Sequence, residues 1–170
     1  MHPVEVEDAL ESMVLLVDTR EQQTPRSKVR YAQFGIPYER QTLNFGDYSA
    51  KVRMPSGEWH CFDREIVIER KLGLEELSAC FFQERNRFTR EFEQAKAAGA
   101  RIYLLIENAS WLDIIRHNYK TRVSPKAFAG SILAFEARYD CKVQFCSQLC
   151  SGSLIRDILH YEVRERLMSL

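Results

Sequence analysis

Apolar residues in this chain come in short runs, and the two clearest runs each stop at an acid. Met13-Val14-Leu15-Leu16-Val17 ends at Asp18, and Ile66-Val67-Ile68 ends at Glu69, with Arg70 and Lys71 next. Runs this short, partly β-branched and bounded by polar residues, suit strands buried on both faces. Arg101-Ile102-Tyr103-Leu104-Leu105-Ile106-Glu107 reads as another such strand. Strands buried on both faces need helices above and below the sheet.

The intervening segments supply them. Arg26 to Phe34 reads as a helix stopped by Gly35, and Pro37–Leu43 and Tyr48–Met54 read as strands separated by Asn44-Phe45-Gly46-Asp47. The turn signal Pro55-Ser56-Gly57 folds the chain back into a hairpin whose return strand is Glu58–Lys71. From Leu72 to Ala98 one long helix is expected, since Leu74, Leu77, Phe81, Phe88, Phe92 and Ala95 recur at spacings of three, four and seven, and Gly99 caps it. Trp111–His117 reads as a short helix. Ser124-Pro125 opens another, with Ser at N-cap and Pro at N1, running to about Tyr139, and most of its Phe128, Ile132, Leu133 and Phe135 are expected in the core. Lys142–Cys146 is a strand and Ser153–Met168 a final amphipathic helix. A strand meander followed by strands alternating with helices predicts an α/β fold with a mixed central sheet flanked by helices. At 170 residues the chain makes one domain, with residues 1–12 a flexible or peripheral N-terminus.

Lys and Arg number 24 and Asp and Glu 24, so a uniformly basic nucleic-acid coat is excluded while a local basic patch is not. No apolar stretch is long enough for a membrane span. The acidic start Met1-His2-Pro3-Val4-Glu5 lacks an apolar signal core, so a cytoplasmic location is expected. The five cysteines contain no CxxC pair and the four histidines are scattered, which supports neither a zinc set nor a Ser/His/Asp or Cys/His triad. No organic cofactor is expected.

Acids gather instead at strand ends and one turn: Asp18 and Glu21 after the first strand, Asp47 in Gly46-Asp47-Tyr48, and Glu69. Side chains alternate faces along a strand, so Glu69 and Lys71 project side by side and Arg70 points the other way. Two carboxylates and a lysine at one sheet edge are the working parts of a PD-(D/E)xK nuclease site. Carboxylates hold Mg²⁺ through hard oxygens, and a lysine can orient a water and stabilise charge on phosphorus. Taken singly, Glu-Arg-Lys after a strand is usually a solvated strand exit, and Gly-Asp is usually an ordinary turn.

The ordered set Asp18-Thr19-Arg20-Glu21, Gly46-Asp47 and Glu69-Arg70-Lys71 resembles the XPF-type structure-specific endonuclease family, in its stand-alone bacterial and phage-like form. The likeness extends through Arg85-Asn86-Arg87-Phe88-Thr89-Arg90-Glu91-Phe92, the strand to Glu107, and Pro125 to Tyr139. The family pattern has Asp four residues after the lysine; this chain has Glu75. The resemblance implies a restriction-endonuclease-like core and a metal-dependent DNA endonuclease. Asp18, Asp47, Glu69 and Lys71 would form the catalytic set. Asp47, Glu69 and Asp18 would hold Mg²⁺, with Mn²⁺ as a substitute. Arg20, Glu21, Arg70 and Glu75 would be supporting residues, with Arg70 paired to Glu21 or Glu75. Arg85, Arg87 and Arg90 would contact DNA phosphates, or else pair only with neighbouring helix acids. A role in repair or recombination on branched, flap or fork DNA, and a homodimer built on later helices, are further implications. A non-cutting DNA-binding module, a four-way-junction resolvase and an RNA-acting nuclease stay open on the sequence alone.

Overall fold

Helices and strands alternate through residues 1–170, all of which the computed structural model describes: α1 (Pro3–Glu11), β1 (Val14–Asp18), α2 (Pro25–Ala32), β2 (Tyr38–Gln41), β3 (Tyr48–Arg53), β4 (Trp59–Cys61), β5 (Ile66–Lys71), α3 (Leu74–Phe82), α4 (Arg85–Ala97), β6 (Arg101–Glu107), α5 (Trp111–Ile115), α6 (Pro125–Tyr139), β7 (Lys142–Cys146) and α7 (Ser151–Ser169). The strands form one mixed sheet in the order β2-β1-β3-β5-β6-β7, with β4 added on β3. β1 pairs parallel with β2 and antiparallel with β3; β5, β6 and β7 run parallel. This is the mixed, helix-flanked α/β architecture expected from the short buried runs.

Three details differ from the sequence reading. First, the early strands are not a meander. The connection from β1 to β2 carries α2, and a helical crossover returns the chain parallel to the strand it left, so β2 lies outside β1. Second, the return strand expected over Glu58–Lys71 is two strands. Phe62 is buried, and the N–H groups of Glu65 and Ile66 both donate to its carbonyl, closing a turn that separates β4 from β5. Third, the long helix breaks at Gln83 and Glu84, whose N–H groups both donate to the Ala79 carbonyl. The spacing of seven between Phe81 and Phe88 spans this break. Residues 83–87 are all polar, and the kink lets the two rings meet edge to face at 5.3 Å, each also against Phe135.

The two sheet faces carry separate cores. One holds Val67, Leu104 and Ile106 under Leu77, Phe81, Phe88, Phe92, Phe128, Ile132 and Phe135. The other holds Leu15, Val17, Tyr48, Ile66, Ile68 and Leu105 under Val6, Phe34, Ile155, Leu159 and Val163. Of the four apolar residues expected mostly in the core, α6 turns Phe128, Ile132 and Phe135 inward, and Leu133 falls on the outer side. Residues 3–11 form a helix with Val6 and Ala9 buried. Its His2 cap is reciprocal, the ring accepting from the helix and Glu5 accepting from the His2 N–H. No helix is long and apolar enough to cross a membrane.

Candidate active site

The carboxyl ends of β1, β5 and β6 lie on one rim of the sheet, because β5 and β6 run parallel and β3 returns antiparallel between β1 and β5. Such rims are where open α/β sheets place ligands. Backbone hydrogen bonds draw the three acids of the sequence pattern together there. Asp18 N–H donates to the Asp47 carbonyl at 2.8 Å, and Asp47 N–H donates to the Ile68 carbonyl at 2.8 Å. Gly46 makes the approach possible. Its φ is +73°, and a Cβ there would come within 2.9 Å of Val67 Cβ, so the Gly-Asp pair is needed for the chain to pass this close to β5.

The resulting cleft is lined by Asp18, Arg20, Asp47, Glu69, Lys71, Glu76, Glu84, Arg87, Phe88 and Glu91, among others. Asp18, Glu69 and Lys71 are only 2%, 5% and 9% exposed, so their charges act on one another with little screening by water. Lys71 Nζ donates to Glu69 Oε1 at 2.6 Å and lies 5.2 Å from the centre of the Phe88 ring. Asp47 Oδ2 accepts the Arg70 N–H at 2.8 Å. Asp18 is more heavily engaged: Oδ1 accepts the Leu43 N–H at 2.9 Å, and Oδ2 accepts from Arg20 Nε at 2.6 Å.

Burial and the nearby Glu69 charge push the Asp47 carboxyl well above the usual carboxylate range. Burial also lifts Glu69, to about 7; the Lys71 charge opposes the rise and the nearby Glu91 charge adds to it. For Lys71 burial disfavours the charge, but the charge of Glu69 and its hydrogen bond outweigh burial, so the ammonium is held more firmly than in water. The cleft lining carries six acids against three cations, more carboxylates than its own cations can pair. Hard carboxylate oxygens in that state fit a divalent cation. No three side chains form a ready-made cage, and Mg²⁺ needs none, since it takes one or two carboxylates and completes its shell with waters and substrate phosphate.

The expected supporting residues divide. Arg20 braces Asp18, as its neighbouring position suggested. Arg70 leaves the cleft face, as strand parity requires, and enters a buried network on the other side of the sheet. There it meets Glu21 at 3.4 Å and Glu107 at 3.2 Å, while Arg30 meets Glu21 at 2.8 Å, Glu107 at 3.2 Å and the Tyr48 hydroxyl at 3.0 Å. Glu75 is a correction. It is exposed, its Oε1 accepts the Lys120 N–H, and it neither lines the cleft nor pairs with Arg70. Leu74, Leu77 and Phe81 set the rotation of α3, and that rotation turns Glu76 to the cleft in its place. On α4, Arg87 lines the cleft and pairs with Glu84 at 3.5 Å, whereas Arg85 and Arg90 are exposed outside it.

Sequence reasoning missed Glu91, Glu107 and Arg30. Glu91 follows Arg87 by four residues and so shares its helix face, which is a usable signal once that face is known. Glu107 closes the parallel neighbour of β5, two residues beyond the partner of Arg70. Nothing in the pattern marks Arg30, which reaches the network from α2.

The sequence matches the ERCC4 domain family over residues 17–153. A search of the curated proteins finds no match. Among solved structures, XPF from Aeropyrum pernix superposes with a TM-score of 0.64 at 15% identity, over 89% of this chain and 65% of that one. XPF from Aeropyrum pernix in complex with DNA superposes with a TM-score of 0.64 at 14% identity, over 89% of this chain and 66% of that one. The chain thus spans just under two thirds of the length of these structures.

Proposed function

The chain belongs to the ERCC4 domain family, and from that premise we propose that it is a divalent-cation-dependent DNA endonuclease that hydrolyses phosphodiester bonds. The observation that carries the reading is the convergence of Asp47, Glu69 and Lys71 in one cleft at the carboxyl rim of the sheet. Asp47 and Glu69 would hold the cation, and Mg²⁺ suits their oxygens, with Mn²⁺ as a substitute. Bound there, it supplies Lewis-acid charge to a phosphate oxygen and lowers the pKa of water. Asp18 has both oxygens committed to Leu43 and Arg20, so its contribution is to fix the rim and act on the cation at a distance.

Lys71 performs the remaining work from this chain. Its ammonium is positioned by Glu69 and the Phe88 ring to hold the attacking water and to face the charge that grows on the phosphoryl oxygens. The water oxygen bonds to phosphorus as the bond to the leaving oxygen breaks. Arg20 and Arg87, at the cleft mouth, would contact backbone phosphates on either side of the scissile bond, which positions a strand without reading its sequence. With Lys and Arg equal in number to Asp and Glu, general attraction to DNA is weak, which favours branched, flap or fork structures as substrates in repair. The exposed Leu112, Ile115 and Leu133 on α5 and α6 support a homodimer through these helices.

A panel of labelled duplex, flap, fork, four-way-junction and single-stranded DNA and RNA, incubated with Mg²⁺ and with Mn²⁺, tests the reading. Cation-dependent cutting of at least one branched DNA is expected. DNA binding without cutting on every substrate would favour a non-catalytic module.

A further inference from the structure

Residues 114–135 contain no Asp or Glu, although the chain as a whole balances its charges. Four of them are cations, Arg116, Lys120, Arg122 and Lys126, running from the end of α5 into the first turn of α6. All four are exposed, and none forms an ion pair within the protein. The two acids that border the stretch are engaged with neutral groups. Asp113 accepts from the Ser110 hydroxyl and the Asn118 amide, and Glu75 accepts the backbone N–H of Lys120.

Neutral side chains hold the backbone of this stretch and leave its charges in solvent. Tyr119 is buried edge-on against Phe128 at 5.2 Å and donates its hydroxyl to the Val123 carbonyl at 2.8 Å. His117 stacks on Tyr119 at 4.3 Å and donates to the Thr121 carbonyl at 2.8 Å. The Thr121 hydroxyl meets that of Ser78 on α3 at 3.0 Å. Glu75 and Ser78 thus face the stretch from one side of α3, while Glu76 and Cys80 of the same helix line the cleft. A helix is about 10 Å across with its side chains. Phosphates along one DNA strand recur every ~3.4 Å, so a duplex crossing α3 sets phosphates a few nucleotides from the cleft on these cations.

Resting on the nuclease reading above, we infer that Arg116, Lys120, Arg122 and Lys126 form a docking surface for the sugar-phosphate backbone of a DNA duplex arm, one helix width from the cleft. The surface is unlike the centre of a protein interface, which needs an apolar or aromatic anchor: no large apolar side chain between Arg116 and Lys126 is exposed. It also lacks the stacking platform of a single-strand site, since Tyr119, the one Phe, Tyr or Trp among these residues, is buried. Unpaired Lys and Arg on a braced loop bind phosphates and read no sequence.

Fluorescence anisotropy of labelled duplex and single-stranded DNA of equal length, titrated with the full chain in excess chelator over a range of salt, tests this without cleavage. The double variant Lys120→Gln/Arg122→Gln should bind duplex about 10-fold more weakly at low salt. Its slope of log K against log salt should flatten by ~1.8, at ~0.9 per lost contact, which a merely structural defect would not produce. Arg26→Gln/Lys28→Gln removes the same charge from exposed positions on α2, which packs on the opposite sheet face, and should stay within about twofold of wild type. Thermal melts establish that both variants are folded. Duplex binding by Lys120→Gln/Arg122→Gln with wild-type affinity and slope would overturn the inference and leave these cations for an acidic protein surface. Equal losses in both double variants would reduce the effect to general charge and overturn it too, and a loss confined to the single strand would replace the duplex arm by a flap. In each of these cases cation-dependent cutting by wild type keeps the nuclease reading. If wild type binds no DNA the inference falls, and the cleavage panel judges the nuclease reading separately.

Discussion

Lys71 is enclosed by Glu69 Oε1 at 2.6 Å and the Phe88 ring at 5.2 Å, a slot shaped for a compact ammonium. That enclosure separates two roles the residue could play. Lys71→Ala should retain cation and DNA binding and lose roughly 10²–10³ in single-turnover cleavage rate, the usual scale for one preorganised electrostatic group. Lys71→Arg should also fail, because a planar guanidinium fits the slot poorly and cannot place a single N–H on the attacking water as the compact ammonium does. Near-normal cleavage by Lys71→Arg would mean that position 71 supplies positive charge alone. The placement of Glu69, Arg70 and Lys71 was legible in the sequence because strand parity is a local rule: alternate residues take alternate faces whatever packs above them. Glu91 was not legible for the opposite reason. Its place in the cleft depends on how α4 is aimed, and that is set by the break at Gln83–Glu84 and by aromatic packing far along the chain. Glu75 was misplaced by counting along a motif when the rotation of α3 decides which acid reaches the cleft.

β5 is pinned from both sides, and the two sides do different things. The cleft face carries Glu69 and Lys71, while Arg70 anchors the strand end into the network of Glu21, Arg30, Tyr48 and Glu107. Glu107 is 1% exposed and meets both arginines. Glu107→Gln removes one negative charge from a buried set of two arginines and two glutamates, and should cost about 3–5 kcal/mol in urea unfolding, as breaking buried pairs does. A loss under ~1 kcal/mol, the range of exposed pairs, would show that the network is solvated in solution. Glu162 fastens α7 to the start of β6. Burial acts to raise its carboxyl, but hydrogen bonds from the Tyr103 hydroxyl, Arg166 and Arg101 prevail and hold it down at about 2. An acid depressed on folding adds stability that is complete above its ordinary 4.5 and disappears as pH falls through about 2. Wild type should therefore lose stability between those pH values more steeply than Glu162→Gln. Parallel slopes from pH-dependent melts would remove Glu162 from the acid response. Single strands and caps, such as Ser124 ahead of α6, were readable because their determinants are neighbours in sequence; the parallel placement of β2 and the split of β4 from β5 depend on partners that are not.

Across the whole molecule, the mixed sheet turns separate sequence features into one site. The antiparallel β3 carries its N-terminal Asp47 to the same rim where β1 ends at Asp18 and β5 ends at Glu69 and Lys71. The class of fold followed from the run lengths and the residue set from the motif, but the gathering of the set required the strand order β1-β3-β5, which no local pattern encodes. Zero formal net charge conceals an uneven distribution, with an acid-rich cleft and arginines at its mouth. If this rim cuts DNA through carboxylates that hold a divalent cation, Asp47→Asn separates cutting from binding, since a neutral amide replaces a charged cation ligand with little change in shape. Single-turnover cleavage of a branched DNA in Mg²⁺ should fall by ~10²–10³ or more in Asp47→Asn, while equilibrium binding to the same DNA in Ca²⁺ or without cation stays at the wild-type level. Cleavage at the wild-type rate by Asp47→Asn, or cleavage by wild type that persists in excess chelator, would contradict the account.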